Sequence, residues 1–522
     1  MRNPFYINLP YDKIRMVCFG FWIVCAYAIY TWITLQAPVN ITADTLWLCE
    51  AAERLLAGEK MSQSYYDPNP PLSVLLYVPP VLIAKAGLLS LHYAIFWYTL
   101  AFLAGAVAAT YRIMKSIPDM DETTIYAVLM ALIVGNTVMT SMAFTERDQI
   151  IGMWLLPFML AQIAITKGWP VPPVIKHITL LLGAVLILIK PHHGLIPTAI
   201  ILHRFFTQRR LSFWKDADFL YLAGAVLAYA AIIAIFFQDF VQIILPDILT
   251  LYSASNVKFV LVKSAYYGML CVAALLVAVV VGRTSWLVYF LLWAALFSII
   301  PFLVQMRGYH YHILPALALF WCGAAVLGKE FFQRFMPSAL ALLLVTSAMT
   351  ILAFMATPSR LFAPTYEQYK TLPLAEELKD CEAPCPVFVL NDHIEITHQT
   401  ALYSDIPWAS RFASFWFVPG VFYLEERNPE EFERLRHKYA LMVAEDLERY
   451  KPKRVLLGEF KIRDDVTFTF MKLFRDEKEF KQAWSHYRHT GEFTMNQGRY
   501  FPRSKQFRDH KMTYQVFERV KD

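Results

Sequence analysis

Four short stretches hold the side chains that could do chemistry: Asp44 in NITADTLW, Glu146, Arg147 and Asp148 in FTERDQ, Lys190, His192 and His193 in KPHHG, and Arg307, His310 and His312 in MRGYHYH. A single carboxylate with room around it suits a general base. Arginine and lysine suit an anion such as a phosphate, because they meet the charge that gathers on its oxygens when a bond to it breaks. Histidines add donors or hold a metal. Glu146 and Asp148 are two residues apart and suit either an acceptor group or a divalent cation such as Mg or Mn. His310 and His312 have the same spacing and point to different sides of a helix, so they make a poor metal pair.

Each stretch also has a purely structural reading. Asp44 precedes a short helix that Asn40 or Thr42 would cap, where the helix dipole favours a carboxylate. ERDQ reads equally as a wet turn between two spans, KPHHG as a proline-kinked turn with solvated charges, and Tyr309 and Tyr311 as an interfacial anchor. Position decides between the readings, so the elements that carry these residues matter.

The chain has 522 residues, of which 57% are hydrophobic and 17% charged, and its mean hydropathy is +0.41. Those values exclude an ordinary soluble protein and imply a polytopic α-helical membrane protein. The net charge of +6 is no nucleic-acid footprint, because Lys and Arg gather at the ends of apolar runs and in the last third. A span needs about 20 apolar residues to cross about 30 Å of hydrocarbon. By that measure we expect eleven crossings. They are Ile14–Leu35, His92–Met114, Thr123–Ala143, Ile150–Thr166, a divided pair within His177–Phe206, Phe219–Phe237, Phe259–Val281, Ser285–Val304, Ile313–Leu327 and Ser338–Thr357.

Two further helices, one after Asp44 and one at Pro70–Leu89, are expected to lie along the membrane surface. In the first, Trp47, Leu48, Ala51, Ala52, Leu55 and Leu56 share a face, and Glu50 pairs with Arg54 on the other. A cytoplasmic N-terminus puts the basic linkers inside, and the odd count then puts the C-terminal third outside. The divided pair follows from Lys190, since a lysine at mid-bilayer costs roughly 2.5 to 3.5 kcal/mol and a break at Pro191 removes that cost.

From Pro358 the charge density rises and no spanning run remains. The division expected is therefore a membrane domain over 1–357, with a first external loop at 37–91, and a soluble α/β domain over 358–522. PVFVLND and KRVLLGEF read as buried strands around a helix in EEFERLRHKYALMVAEDLERY. Among the seven cysteines, Cys381 and Cys385 lie in that polar region, where a disulfide could form.

An acid just after the first span, an interfacial helix of the form AAERLLAGE, a YDPNPP turn and a following apolar helix resemble the first external loop of the GT-C superfamily of integral-membrane glycosyltransferases, including aminoarabinose and mannosyl transferases. The resemblance implies transfer of a sugar from a polyprenyl-phosphate donor to a glycan, lipid or protein acceptor, in one inverting step with Asp44 as base. FTERDQ takes the place of the family's second acidic motif but departs from its Asp-x-Asp or Asp-Glu forms. The implied setting is the periplasmic side of a bacterial cytoplasmic membrane. The rival expectation is a transporter or lipid flippase, which should show paired broken helices in two similar halves.

Overall fold

The computed structural model describes residues 41–140, 143–208, 211–252, 257–282, 284–356, 373–379, 381, 384–391, 394–463, 466–496 and 511–520. The expected first span, Ile14–Leu35, lies outside them. The chain forms two compact units. One contains Tyr93–Ala231 and Ala254–Arg360, and the other contains Pro38–His92, Ile232–Ser253 and Leu361–Asp522. The segment around Asp44 thus shares a unit with the C-terminal third, a different division from a cut at 357/358.

The first unit is helical and membrane-embedded. Among the described residues six helices are long and apolar enough to cross a membrane: Leu91–Met114, Arg147–Lys167, Ala217–Phe236, Lys258–Val281, Trp286–Gln305 and His310–Phe332. That count corrects the expectation of eleven. The shortfall is one of length, because Glu122–Asn136 and Pro173–Ile187 have 15 residues each, or about 22 Å of rise. Thr123–Ala143 is not one span, since the helix ends at Asn136 and the chain then turns. There the Thr137 hydroxyl bonds back to the Ile133 carbonyl. The break in His177–Phe206 is present: a helix ends at Ile187, Pro191–Gly194 forms a single tight turn, and Leu195–Gln208 follows.

The helix Arg147–Lys167 is the buried centre of this unit, and the helices Pro173–Ile187 and Leu314–Phe332 pack on it. Close approach needs small residues: a Cβ at Gly152 would lie 3.1 Å from Pro315 Cα. By contrast Leu227, Met269 and Val280 are exposed on helices that are apolar all round, a surface stable only against lipid.

The second unit contains a sheet of order β1-β2-β5-β4, with β3 paired to β2. The strands are β1 Val387–Leu390, β2 Arg454–Arg463, β3 Val466–Thr469, β4 Tyr487–Asn496 and β5 Lys511–Arg519. β1 and β2 are parallel, as a crossover through the helix Pro429–Tyr450 requires, and the other pairs are antiparallel. That helix starts at Asn428, whose side chain accepts from Glu431 N, with Pro429 next. Its face Phe432, Leu435, Tyr439, Ala440, Val443 and Leu447 is buried at helical spacing. Phe412, Phe415, Phe417, Tyr439 and Tyr66 form an aromatic core, so the aromatics of Tyr403–Val421 are packing residues. Cys381 and Cys385 are joined by a disulfide.

The helix Leu245–Leu251 meets the helix Val418–Glu425 in this unit with backbone against backbone. A Cβ at Gly420 would fall on the Leu251 carbonyl oxygen and within 2.8 Å of Leu251 Cα. Gly420→Ala is expected to cost about 1–3 kcal/mol, because no side chain can swing away to make room. A thermal midpoint equal to that of the unsubstituted chain would contradict this close approach.

The helix Ala43–Leu56 belongs to the same unit. Thr42 is its cap, accepting from Thr45 N at 3.3 Å, and Gly58 turns the chain away at φ 81°. The YDPNPP turn has a local cause: Asp67 accepts from Asn69 N and from Trp47 Nε1, each at 2.7 Å, tying the turn to the helix. The Glu50–Arg54 pair is not the solvated pair that its spacing suggests. Arg54 donates to the Ser64, Trp408 and Ser410 carbonyls as well as to Glu50, and His398 Nε2 lies 2.6 Å from the other Glu50 oxygen.

Burial alone would raise the Glu50 carboxyl, but Arg54 and His398 beside it outweigh burial and hold it below its ordinary 4.5. A carboxyl lowered by folding contributes stability above its unfolded value, and that contribution fades as pH falls through the folded one. Glu50→Gln is therefore expected to be less stable than the unsubstituted chain at neutral pH, with the gap closing below pH 4.5. Unfolding midpoints across that range test it, and a gap of constant size would refute it.

Candidate functional site

Three separate loops of the first unit meet at the start of its central helix. Glu146 is the cap position of Arg147–Lys167, which puts Asp148 in the first turn, where the helix dipole favours a negative charge. The loop before it is strained: Thr145, a β-branched residue, has φ 83°. It is held by Gln149, whose Oε1 accepts from Thr145 N at 2.7 Å and whose Nε2 donates to the Asn136 carbonyl at 2.5 Å. Asp148 itself has no exposed surface.

The broken region supplies the counter-charge. Lys190 Nζ donates to Asp148 Oδ2 at 2.6 Å and to Gln305 Oε1 at 3.3 Å, and His193 Nε2 lies 3.3 Å from Asp148 Oδ1. Pro191 makes this possible, since the tight turn it starts places Lys190 and His193 together, with His193 N bonded to the Lys190 carbonyl. The third loop brings Gln305, Arg307 and His312. Met306 and Gly308 are left-handed at φ 49° and 75°, so the chain reverses around Arg307. His312 is buried within electrostatic reach of Asp148, Lys190, His193 and Arg147.

Of the sequence candidates, Glu146, Arg147, Asp148, Lys190, His193 and His312 gather here, and Arg307 sits on the loop that supplies two of the contacts. All seven are buried. His192 is half-buried, its ring 4.8 Å from that of His193, and lines a groove of about 440 Å³ walled by Leu188, Leu195, Val226, Ile300 and Val304. His310 points outward and is exposed. Asp44, half-buried, belongs to the other unit. Gln149, which holds the first loop, and Gln305, which joins the third loop to Lys190, were missed in the sequence because a glutamine beside charged residues carries no pattern of its own.

Burying Asp148 and Lys190 costs more than their attraction returns unless further partners satisfy them, and His193, Gln305 and the helix start supply those. Arg147 and Lys190 stand against Glu146 and Asp148, two cations against two carboxylates, and Arg307 is carried buried on the third loop. The proposed divalent cation fits less well. Both Asp148 oxygens already face Lys190 and His193, and among the described residues no three His, Cys, Asp or Glu side chains gather to hold a metal. Neither a comparison with family models nor one with characterised proteins finds a match to this chain.

Proposed function

We propose that the protein is a glycosyltransferase of the GT-C type, moving a sugar from a polyprenyl-phosphate donor to a glycan, lipid or protein acceptor on the periplasmic side of a bacterial cytoplasmic membrane. The observation that carries the reading is the convergence of FTERDQ, KPHHG and MRGYHYH on one buried cluster of charged side chains in a membrane-embedded unit. Buried cations are costly and need a reason, and an anionic lipid headgroup supplies one. The apolar groove beside His192 suits the lipid chain.

In the reaction, the acceptor hydroxyl oxygen attacks the anomeric carbon and the bond from that carbon to the phosphate oxygen breaks. The bonding pair leaves with the phosphate, where Arg147, Lys190 and Arg307 meet the added charge. The acceptor proton goes to a carboxylate acting as base, the part that the resemblance to GT-C enzymes gives to Asp44. A phosphate departs without being protonated, so one carboxylate suffices, and attack from the opposite face inverts the centre.

The purified chain incubated with polyprenyl-phosphate sugars should release free polyprenyl phosphate in step with a glycosylated acceptor. If labelled lipid instead moves between leaflets with its sugar intact, the flippase reading replaces this one.

A further inference from the structure

Residues Tyr309, His310, Tyr311 and His312 are four ring-bearing side chains in succession, where the third loop enters the helix Leu314–Phe332. We propose that Tyr309 and Tyr311 form an aromatic platform for the sugar ring of the lipid-phosphate donor, beside the lysine that meets its phosphate. This rests on the glycosyltransferase reading and adds the surface that would recognise the sugar.

The two tyrosine rings are parallel, with centroids 5.4 Å apart and planes 6° from one another. Tyr309 is 45% exposed, Tyr311 is half-buried and His312 is buried, so the stack runs from open surface inward. His312 stands edge-on to both rings, at 5.5 Å and 4.6 Å, and props them. Lys190 Nζ lies 5.5 Å from the Tyr311 centroid while bonded to Asp148 and Gln305. The inner ring of the stack therefore borders the charged pocket.

The backbone holds the stack in place. Left-handed residues Met306 and Gly308 reverse the chain just before Tyr309, and a tight helical turn over His310–Ile313 follows. A ring face carries negative charge density, which attracts the slightly positive C–H groups along one face of a sugar. An interfacial anchor would also expose a tyrosine, but it would act on any lipid alike.

The test is binding of bare decaprenyl phosphate and of its mannosyl, glucosyl and arabinosyl phosphodiesters to the full chain in nanodiscs. We expect the unsubstituted chain to prefer at least one sugar-bearing lipid over the bare one. Tyr309→Ala should reduce that preference by roughly three- to tenfold and leave affinity for bare decaprenyl phosphate unchanged. Tyr309→Phe should keep the preference, whereas Tyr309→Leu, which retains apolar bulk without a ring, should lose it.

A preference that survives Tyr309→Ala, an equal loss for all lipids, or no preference in the unsubstituted chain overturns the platform. Failure of every lipid to bind the unsubstituted chain, bare decaprenyl phosphate included, removes the glycosyltransferase reading itself.

Discussion

Replacing Asp44 by asparagine is expected to lower sugar transfer by about 10²–10⁴-fold, the range over which a positioned general base contributes. The substitution keeps size and shape and removes only the ability to take a proton. The structural reading puts Asp44 at a helix start that another residue caps. The structure gives that part to Thr42, whose hydroxyl accepts from Thr45 N. What asparagine gives up for the fold is then the attraction of a carboxylate to the helix dipole, about 0.3–1 kcal/mol. The thermal midpoint should therefore stay close to that of the unsubstituted chain while turnover collapses. Turnover at more than a tenth of the original rate would remove Asp44 from the reaction, whatever else the pocket does.

Lys190→Met is expected to strike both stability and activity. The side chain is 9% exposed and its partner Asp148 is fully buried, so removing the ammonium leaves a buried carboxylate facing His193. Breaking a buried pair from one side costs about 3–5 kcal/mol, most of it the stranded charge. The double substitution Lys190→Met with Asp148→Asn strands nothing and should recover most of the thermal midpoint. Sugar transfer should stay low in both, because the cation that meets the leaving phosphate is absent from both. Measured together, midpoint and turnover separate the two roles. If the single substitution proves as stable as the double, the pair is not the keystone of the pocket; if the double also recovers turnover, Lys190 plays no part in the reaction.

How much of this was legible in the sequence differs from element to element. The break at KPHHG could be read directly, because proline removes a helix donor and a mid-bilayer lysine is costly whatever packs around it. The ends of the helices Leu91–Met114 and Ala217–Phe236 fall within two residues of the apolar runs that mark them. Glu122–Asn136 was overestimated, since apolar residues continue past the point where the backbone turns. The Glu50–Arg54 pair could be read from its spacing but its further partners could not, because an i,i+4 spacing is the same whether water or protein lies beyond it. Strand β5 went unread although Met512, Tyr514 and Val516 alternate inward at the strand period.

The amino-acid sequence alone determined that this chain is membrane-embedded, because apolar helices of this kind are stable only against lipid or one another, and that its charges cluster in a few loops. The meeting of Asp148 with Lys190 and His193, and the joining of Glu50 and Arg54 to His398, Trp408 and Ser410, were decided by tertiary structure. Those partners are 42, 45 and more than 300 positions apart, and no local period encodes such a distance. It is set by how the helices Arg147–Lys167 and Pro173–Ile187 pack in one unit, and by how the helix Ala43–Leu56 packs on the C-terminal residues in the other.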